Sequence, residues 1–382
     1  MQIPENTGIV PSNRLNKKTM SLIRRDIQNI EAYKPGKPIE EVERELGIKG
    51  VIKLASNENA LGPSPKALKA ISKALKNLNR YPEGTCFYLK KKLAQFLGVY
   101  ESNLIFGNGS DELIDIILKT IKEPGEAKAE IITSEVTFVE YKICGAINGF
   151  TVKAVPMRDF TYDLAAIKKA ITPRTKAIFI ANPNNPTGTY VNSKDVALFL
   201  EGMPKDILVV FDEAYVEFVT NKDFPKLISL INKSNVAILR TFSKIYGLAG
   251  LRVGYMIANS GFVTNAQRVR QPFNVNSLAQ VAAFAALDDK VFVKKTIKLI
   301  KEEKGSLYEA FSKLGIWFKE SATNFIFIRM NADIQKVFQE LLRKGVIIRE
   351  MSGYDLPNYA RVTIGTRKEN QKLIKELKAI LT

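Results

Sequence analysis

The chain has 382 residues, 46% of them hydrophobic and 25% charged, which is enough to bury a large core and favours one large and one small domain. The sequence contains no histidine, which excludes Ser-His-Asp catalysis, Cys-His catalysis and every histidine-ligated metal site, and no metal site is predicted. The formal net charge of +18 comes from lysines spread along the whole chain, a distribution that favours solvated helix faces over a nucleic-acid surface.

The two cysteines, Cys86 and Cys144, are too few for a disulfide framework or a zinc site. We interpret both as free thiols of a reducing compartment. Residues 1–30 lack the apolar core of a signal peptide, and no apolar run approaches the ~18 residues of a membrane span. We therefore expect a soluble, cytoplasmic protein that does not associate with a membrane.

Segments typical of helices and of strands alternate through the middle of the chain, which indicates an α/β sheet. Apolar residues at three- and four-residue spacing predict amphipathic helices over residues 65–78, 87–97, 111–122 and 164–170. Short, apolar, β-branched runs predict buried strands over residues 103–106, 130–133, 176–180, 207–211, 236–239 and 253–257.

The pattern changes after residue 280, where a long charged helical stretch runs through residue 314. Segments 324–329, 334–344 and 361–365 follow it, and we interpret this part as a second, smaller α+β domain. The predicted division is an N-terminal arm over 1–30, a small domain over 31–58 and 281–382, and a large domain over 59–280.

The sharpest local feature is a loop at the end of a predicted strand that carries Ser243, Lys244 and Arg252. A lone Ser-Lys pair is most often a surface lysine. A lysine amine also forms an imine with an aldehyde cofactor when burial or positive charge lowers its pKa. Arg252 on the same loop supplies such a charge and a fork of donors for a phosphate.

Two further polar groups follow predicted strands. Asn185 lies in a Pro- and Gly-rich turn, and the need for a rigid turn would be enough to explain this composition. The Asn185 amide would, however, also point into the crevice where α/β sheets bind ligands. Asp212 follows three apolar residues, and a carboxylate so placed needs a partner. That partner is either the basic side chain of a structural salt bridge or a pyridine nitrogen that the carboxylate keeps protonated.

Residues 105–111 join a strand to a helix through a glycine-rich turn that contains Gly109, Ser110 and Asp111. The spacing is neither a Walker loop nor a dinucleotide fingerprint, and a cradle for one phosphate and a plain turn fit it equally well. Phe138 offers an aromatic face for a cofactor ring, although a core role explains it as well.

Taken together, four segments resemble the fold-type I pyridoxal-phosphate aminotransferases: Gly109-Ser110, Asn185-Pro-Thr-Gly188, Asp212 to Tyr215, and Ser243-Lys244 with Arg252. Within that class the chain is similar to the histidinol-phosphate aminotransferases through four more segments, which begin at Tyr33, Ser56, Arg80 and Arg361. The resemblance runs from about residue 29 to the C-terminus. It implies a three-layer α/β/α large domain with a mostly parallel seven-stranded sheet that binds pyridoxal 5'-phosphate.

The resemblance also assigns roles. It implies that Lys244 is the Schiff-base lysine and proton shuttle, that Asp212 pairs with the ring nitrogen, and that Asn185 and Tyr215 bond the phenolic oxygen. The same resemblance implies a cofactor site completed by Gly109, Ser110, Asp111, Phe138, Ser243, Arg252 and, from the partner subunit of a homodimer, Tyr81. Many relatives carry tyrosine where this chain has Phe138, so stacking is kept and a phenol hydrogen bond is lost.

The implied reaction is the transfer of an amino group between L-histidinol phosphate and 2-oxoglutarate, a step of histidine biosynthesis. Arg361 would grip the α-carboxylate of the amino donor, and Tyr33, Asn57 and Arg349 would shape the substrate pocket. An aromatic aminotransferase and a threonine-phosphate decarboxylase are the alternatives on the same fold. A DNA-binding regulator is disfavoured because residues 1–31 are too few for a helix-turn-helix module.

Overall fold

The computed structural model describes residues 36–126 and 128–381, together with residues 22, 24, 27, 28 and 30. Most of the expected N-terminal arm, and the predicted substrate residue Tyr33, therefore lie outside the described residues. The division of the chain at residues 58 and 280 stays a prediction.

A seven-stranded sheet forms the larger half of the molecule. Its strands are β2 (Leu104–Gly107), β3 (Glu130–Ser134), β4 (Thr151–Val155), β5 (Thr175–Ala181), β6 (Leu208–Asp212), β7 (Val236–Thr241) and β8 (Gly254–Ile257). They lie in the order β2-β8-β7-β6-β5-β3-β4, and only β8 runs antiparallel to its neighbours. The expected mostly parallel α/β sheet is confirmed.

Burial explains why the inner strands were recognisable in the sequence. Every residue of β3 and β6 is buried, and the continuous apolar runs of β5 to β7 are typical of strands covered by helices on both faces. Because β5, β6 and β7 are parallel, their carboxyl ends meet at one edge of the sheet, where an open α/β sheet binds its ligand.

Twelve α-helices of at least six residues are present among the described residues, and most pack on the two sheets. They are α1 (Ile39–Leu46), α2 (Pro65–Ala74), α3 (Phe87–Leu97), α4 (Gly109–Ile121), α5 (Glu140–Ile147), α6 (Leu164–Lys169), α7 (Ser193–Leu200), α8 (Ser260–Val269), α9 (Ser277–Ala286), α10 (Lys290–Lys313), α11 (Ile334–Arg343) and α12 (Arg367–Leu381).

A second, five-stranded sheet forms the smaller half. Its strands are β1 (Ile52–Leu54), β9 (Trp317–Lys319), β10 (Phe325–Arg329), β11 (Val346–Glu350) and β12 (Tyr359–Thr363), in the order β1-β11-β12-β10-β9. The β1 strand pairs in parallel with β11, so a segment from early in the chain closes a sheet built from its end. This arrangement places the residues that follow β1 between the two halves.

The structure contains elements that the sequence analysis did not predict. Strands β1, β4, β9 and β11 are among them: β1 and β9 have only three residues each, and β4 is a partly exposed edge strand. The helical stretch after residue 280 is two helices, since α9 ends at Ala286 and α10 begins at Lys290. Asp289 marks the break: it caps α10 and also accepts hydrogen bonds from Ser64 Oγ (2.7 Å) and the Lys66 N–H (3.2 Å) at the start of α2.

Cys86 and Cys144 are free thiols, as predicted. Burial raises the pKa of each to about 12, so neither is a reactive thiolate. Within residues 36–126 and 128–381 we find no helix that combines the length and the apolar character needed to cross a bilayer.

Candidate active site

A cleft of about 250 Å³ opens at the carboxyl ends of β5, β6 and β7 and is closed on its other side by the smaller half. Except for Gly109, Tyr81 and the undescribed Tyr33, the predicted site residues line this cleft. They are Asn57, Ser110, Asp111, Phe138, Asn185, Asp212, Tyr215, Ser243, Lys244, Arg252, Arg349 and Arg361. The structure therefore brings together residues that are as much as 304 positions apart in the chain, since 361 minus 57 is 304.

Lys244 lies in the turn that follows β7. Its Nζ donates a hydrogen bond to the main-chain oxygen of Ser56 (3.2 Å) and lies 5.7 Å from the ring centre of Tyr215. Burial, followed by the positive charge of Arg361, lowers the pKa of Lys244 to about 8. About a tenth of the amine is then neutral and nucleophilic at pH 7, far more than for an ordinary lysine.

Asp212 ends β6 and is buried against the floor of the cleft. Its carboxylate accepts hydrogen bonds from the Tyr141 hydroxyl (2.8 Å) and the Ala214 N–H (3.0 Å). Burial raises the pKa of Asp212 to about 6, against the opposing effect of these two donors. A buried carboxylate held by neutral donors is well placed to pair with a cation in the cleft.

Tyr141 is a functional residue that sequence reasoning missed. It is completely buried in α5, stacks on Phe179 with ring centres 5.2 Å apart, and meets the edge of Phe138 at 5.6 Å. Its position three residues after Phe138, in the turn that leads into the helix, was the available signal. The sequence offered no reason to connect it with Asp212, which lies 71 positions later.

Tyr215 connects the cleft to the smaller half. Its hydroxyl oxygen accepts a hydrogen bond from Asn57 Nδ2 (2.8 Å), and the Asn57 amide accepts one from Thr363 Oγ1 (3.1 Å). Burial raises the pKa of Tyr215 to about 12, so the phenol stays protonated and can donate to an acceptor in the cleft. Asn57 has φ +57°, and its own N–H donates to Thr363 Oγ1 (2.9 Å).

An anion cradle forms where α4 begins. Gly109 has φ +82°, and a Cβ at this position would collide with the Arg252 guanidinium, so only glycine permits the arginine to lie here. A Cβ on Gly254 would likewise lie 2.7 Å from the Ser110 nitrogen. Arg252 is oriented by Asp111, whose carboxylate accepts from Nη2 at 2.7 Å.

Ser243 completes this anion cradle, which forms one wall of the cleft. Its hydroxyl oxygen accepts a hydrogen bond from Thr241 Oγ1 (2.9 Å), and its N–H donates to the same Thr241 oxygen (3.0 Å). With the first N–H groups of α4 and the Arg252 guanidinium, the wall presents several donors to one anion. Thr241 was not among the predicted site residues.

Two arginines of the smaller half face this wall. Arg349 and Arg361 are paired across strands β11 and β12, and both line the cleft. Arg361 donates through Nη1 to Asn185 Oδ1 and through Nη2 to the main-chain oxygen of Ala55. The Asn185 Nδ2 group is therefore the end of that amide that can donate to a ligand.

Tyr81 does not line the cleft of its own chain. Its side chain is 84% exposed and stacks on Phe273, with ring centres 5.0 Å apart. Leu75, Leu78, Phe87 and Tyr88 are exposed near it in sequence, on the helical segments that flank this loop.

The chain belongs to the class I and II aminotransferases. The model of that family matches residues 49–377, which include both sheets and every described residue of the cleft except Gly36. The family is also consistent with the arrangement above: an amine of lowered pKa, a buried carboxylate and an anion cradle in one cleft.

The chain is similar along nearly its whole length to histidinol-phosphate aminotransferases. It is 49% identical to that of Moorella thermoacetica over 95% of this chain and 94% of the relative. It is 43% identical to that of Brevibacillus brevis over 93% of this chain and 97% of the relative. The crystal structure of the Sinorhizobium meliloti histidinol-phosphate aminotransferase in complex with pyridoxal-5'-phosphate has a TM-score of 0.86 and 29% identity, covering 94% of this chain and 98% of that one.

Proposed function

We propose that this aminotransferase uses pyridoxal 5'-phosphate to transfer an amino group between L-histidinol phosphate and 2-oxoglutarate, as a step of histidine biosynthesis. The observation that carries the chemistry is the placement of the Lys244 amine in one cleft with the buried Asp212 carboxylate and the Arg252 cradle. The substrate is supported by the names of relatives that are 43–49% identical over more than nine-tenths of this chain.

The residues of the cleft fit this cofactor. The crowding of Gly109 by Arg252 and of Gly254 by Ser110 leaves main-chain donors and a guanidinium facing the same space, as a phosphate requires. Asp212, whose pKa burial raises, is stabilised when a protonated ring nitrogen lies beside it. Phe138 lines the cleft as an apolar wall for the ring.

When bound, pyridoxal phosphate supplies an aldehyde that takes up the amino group and a ring that delocalises the electron pair left after proton loss from carbon. Lys244 would hold the aldehyde through its neutral amine and then move the proton in both half-reactions. Its lowered pKa suits both tasks, because an amine that titrates near working pH can give and take a proton.

The remaining polar groups would orient the ring and the substrate. Asp212 would keep the ring nitrogen protonated, while Asn185 Nδ2 and the Tyr215 hydroxyl would donate to the phenolic oxygen. Arg361, which Asn185 and Ala55 already fix in place, would bind the α-carboxylate of the amino donor. With Arg349 beside it, the cleft carries two guanidinium groups for substrates that bear carboxylates and a phosphate.

We also propose that the protein is a homodimer in which Tyr81 reaches the cofactor phosphate of the partner subunit. In support, Tyr81 is 84% exposed, and the segments that flank it in the sequence expose the apolar residues Leu75, Leu78, Phe87 and Tyr88. Exposed apolar side chains in this number are typical of an interface. Sedimentation of the holoenzyme tests the dimer, and a monomer at micromolar concentration would contradict it.

A cytoplasmic location is proposed as well. It is supported by the free thiols of Cys86 and Cys144, which persist in a reducing compartment. Fractionation of the source cells is the direct test.

The first test of the proposal is Lys244→Ala. We expect the wild-type holoenzyme to show a visible absorption band that borohydride removes, and the variant to lack both this band and turnover, because no other amine takes the place of Lys244. Lys304→Ala is the matched control: its amine also has a pKa lowered to about 8 by burial, but it lies outside the cleft. Normal turnover of Lys244→Ala would contradict the proposed chemistry.

The second test concerns the substrate. Histidinol phosphate, phenylalanine, tyrosine and threonine phosphate are each incubated with the holoenzyme, with 2-oxoglutarate as amino acceptor, and glutamate is measured. Carbon dioxide release is followed in parallel for threonine phosphate. We expect the highest kcat/KM with histidinol phosphate, and no turnover of it would remove the proposed substrate while leaving the aminotransferase class in place.

A further inference from the structure

The segment that follows β1 runs alongside the turn that carries Lys244. Ser56 accepts a hydrogen bond from Lys244 Nζ at 3.2 Å, at the tip of the lysine side chain. Three residues later, Asn59 Nδ2 donates to the main-chain oxygens of Lys244 (3.2 Å) and Ile245 (2.9 Å). One short segment thus contacts Lys244 at the amine and at the carbonyl.

The Asn59 amide is itself held in one orientation. Its Oδ1 accepts a hydrogen bond from the Leu61 N–H at 3.0 Å, so Nδ2 must be the end that faces the lysine turn. Nδ2 also approaches Thr296 Oγ1, in helix α10, at 3.4 Å. The side chain therefore connects the loop after β1, the lysine turn and the long helix of the smaller half.

The far side of the lysine turn is fixed by other contacts. The Ser64 N–H donates to the main-chain oxygen of Tyr246 (3.1 Å), and Gly247, with φ +67°, packs so closely on Gly62 that a Cβ would collide with it. Within the turn, the Gly247 N–H donates to the main-chain oxygen of Lys244 (3.1 Å). Asn59 is the residue that bonds the carbonyls of both Lys244 and Ile245 to the segment after β1.

Holding these carbonyls has a direct mechanical consequence. A shift of the lysine turn relative to the segment after β1 would carry the Lys244 Cα with it and displace the amine at the end of the side chain. A displacement of about 1 Å at a reacting atom costs roughly 10²-fold in rate. Because Asn59 bonds the carbonyls of both Lys244 and Ile245, it restricts this displacement next to the reacting side chain.

We propose that Asn59 is a positioning residue for Lys244: it fixes the lysine main chain so that the amine moves only between the cleft and the Ser56 oxygen. This inference rests on the proposed function, in which Lys244 is the reacting amine. It assigns Asn59 no contact with cofactor or substrate, and Asn59 is absent from the lining of the cleft.

The test compares Asn59→Ala with Thr296→Val in the holoenzyme. Asn59→Ala removes both hydrogen bonds to the lysine turn, whereas Thr296→Val, a change of almost equal volume, removes only the remote partner of the same amide. We expect Asn59→Ala to lower kcat by at least about tenfold with KM for both substrates within about twofold, because positioning acts on the reacting atom. Thr296→Val should keep kcat within about twofold of wild type.

A second readout follows the lysine without turnover. The visible band of the lysine-bound cofactor is titrated with pH. We expect its midpoint to move upward in Asn59→Ala, because a Lys244 nitrogen that is held less rigidly is better solvated and keeps its proton to higher pH. If Asn59→Ala does not fold, Asn59→Asp is used for the kinetic readout, because it keeps the acceptor for Leu61 and loses the two donors.

The outcomes separate the two proposals. A wild-type holoenzyme with no reducible band and no transamination would overturn the proposed function. A normal wild type combined with an Asn59→Ala variant of unchanged kcat and unchanged midpoint would overturn only the role of Asn59. A loss of activity that is matched by Thr296→Val would also overturn it, as would a folded Asn59→Asp variant of unchanged kcat in the case that Asn59→Ala does not fold.

Discussion

Asp212 and Glu213 are neighbours at the end of β6, both are buried, and they point to opposite sides of the sheet. Asp212 faces the cleft and is held by a phenol and a main-chain N–H. Glu213 faces away from it and forms an ion pair with Arg240, with Nη2 at 2.7 Å and Nε at 2.8 Å. The pair of residues shows how the same chemical group serves two purposes, according to whether its partner carries a charge.

The two carboxylates differ in whether the protein itself supplies a counter-charge. Burial raises the pKa of Asp212 to about 6, because its partners are neutral and leave its charge uncompensated. Burial also raises the pKa of Glu213, but the Arg240 guanidinium opposes this effect and provides the counter-charge within the protein. Asp212 is therefore available to a cationic ligand, whereas Glu213 is a structural group.

The largest expected effect is on catalysis. Asp212→Asn should bind the cofactor but lower kcat by at least about 10²-fold, because an amide cannot hold a proton on the ring nitrogen and the charge that develops in the transition state loses its partner. Steady-state kinetics of the holoenzyme, with cofactor content measured by absorbance, gives the answer. A kcat within tenfold of wild type would contradict the catalytic role that distinguishes Asp212 from Glu213.

The matched change on the other side is Glu213→Gln, which should act on stability. Removing one partner of a buried ion pair leaves the Arg240 charge uncompensated and typically costs about 3–5 kcal/mol. We expect a free energy of unfolding lowered by this order in urea, with kcat of the folded enzyme changed far less than in Asp212→Asn. An unchanged unfolding midpoint would show that this ion pair does not stabilise the fold.

A smaller effect, of opposite sign, is expected for the stability of the apoenzyme of Asp212→Asn. The folded protein holds the Asp212 proton with a pKa of about 6 against an ordinary 3.8, so the free energy of unfolding of the wild type falls as pH rises from about 4 to 6. Asparagine does not titrate. The variant should gain roughly 1–3 kcal/mol relative to wild type between pH 4 and pH 8, and a difference that does not depend on pH would contradict this.

The smallest effect should come from Tyr141→Phe. Loss of the hydroxyl removes a donor that lowers the pKa of Asp212, so this pKa should rise further and the acid limb of kcat/KM should move upward by up to about one pH unit. The ring packing on Phe179 is retained. Tyr190→Phe, which removes a hydroxyl bonded to Asp223, is the control and should leave the pH profile in place.

Much of this architecture could be predicted from the sequence, because it depends on local patterns. The inner strands are apolar runs; Asp212 directly follows one of them, and Lys244 lies in the turn after another. Strand β1 was missed because three residues carry no periodicity. The break at Asp289 was missed although its cap, on the Phe292 N–H, is local; its other contact, with Ser64, is 225 positions away along the chain.

The contacts that orient the site were less accessible to sequence reasoning. Tyr141 reaches Asp212, Asn57 reaches Thr363, and Asn59 reaches the main chain of Lys244, and each pair is 71 to 306 positions apart. Spacing along the chain contains no information on such pairs until the fold is known. The residue types were visible, but the partners that fix their geometry were not.

The close approach of Gly254 to the Ser110 nitrogen also bears on how this enzyme can evolve. A single methyl group at residue 254 would collide with the main-chain nitrogen of Ser110. This part of the anion cradle is main chain and leaves no room for a side chain at residue 254, so it is expected to change little in any descendant that keeps the backbone. New substrate preferences must then arise on the opposite side, where Arg349 and Arg361 extend from strands whose side chains can be exchanged one at a time.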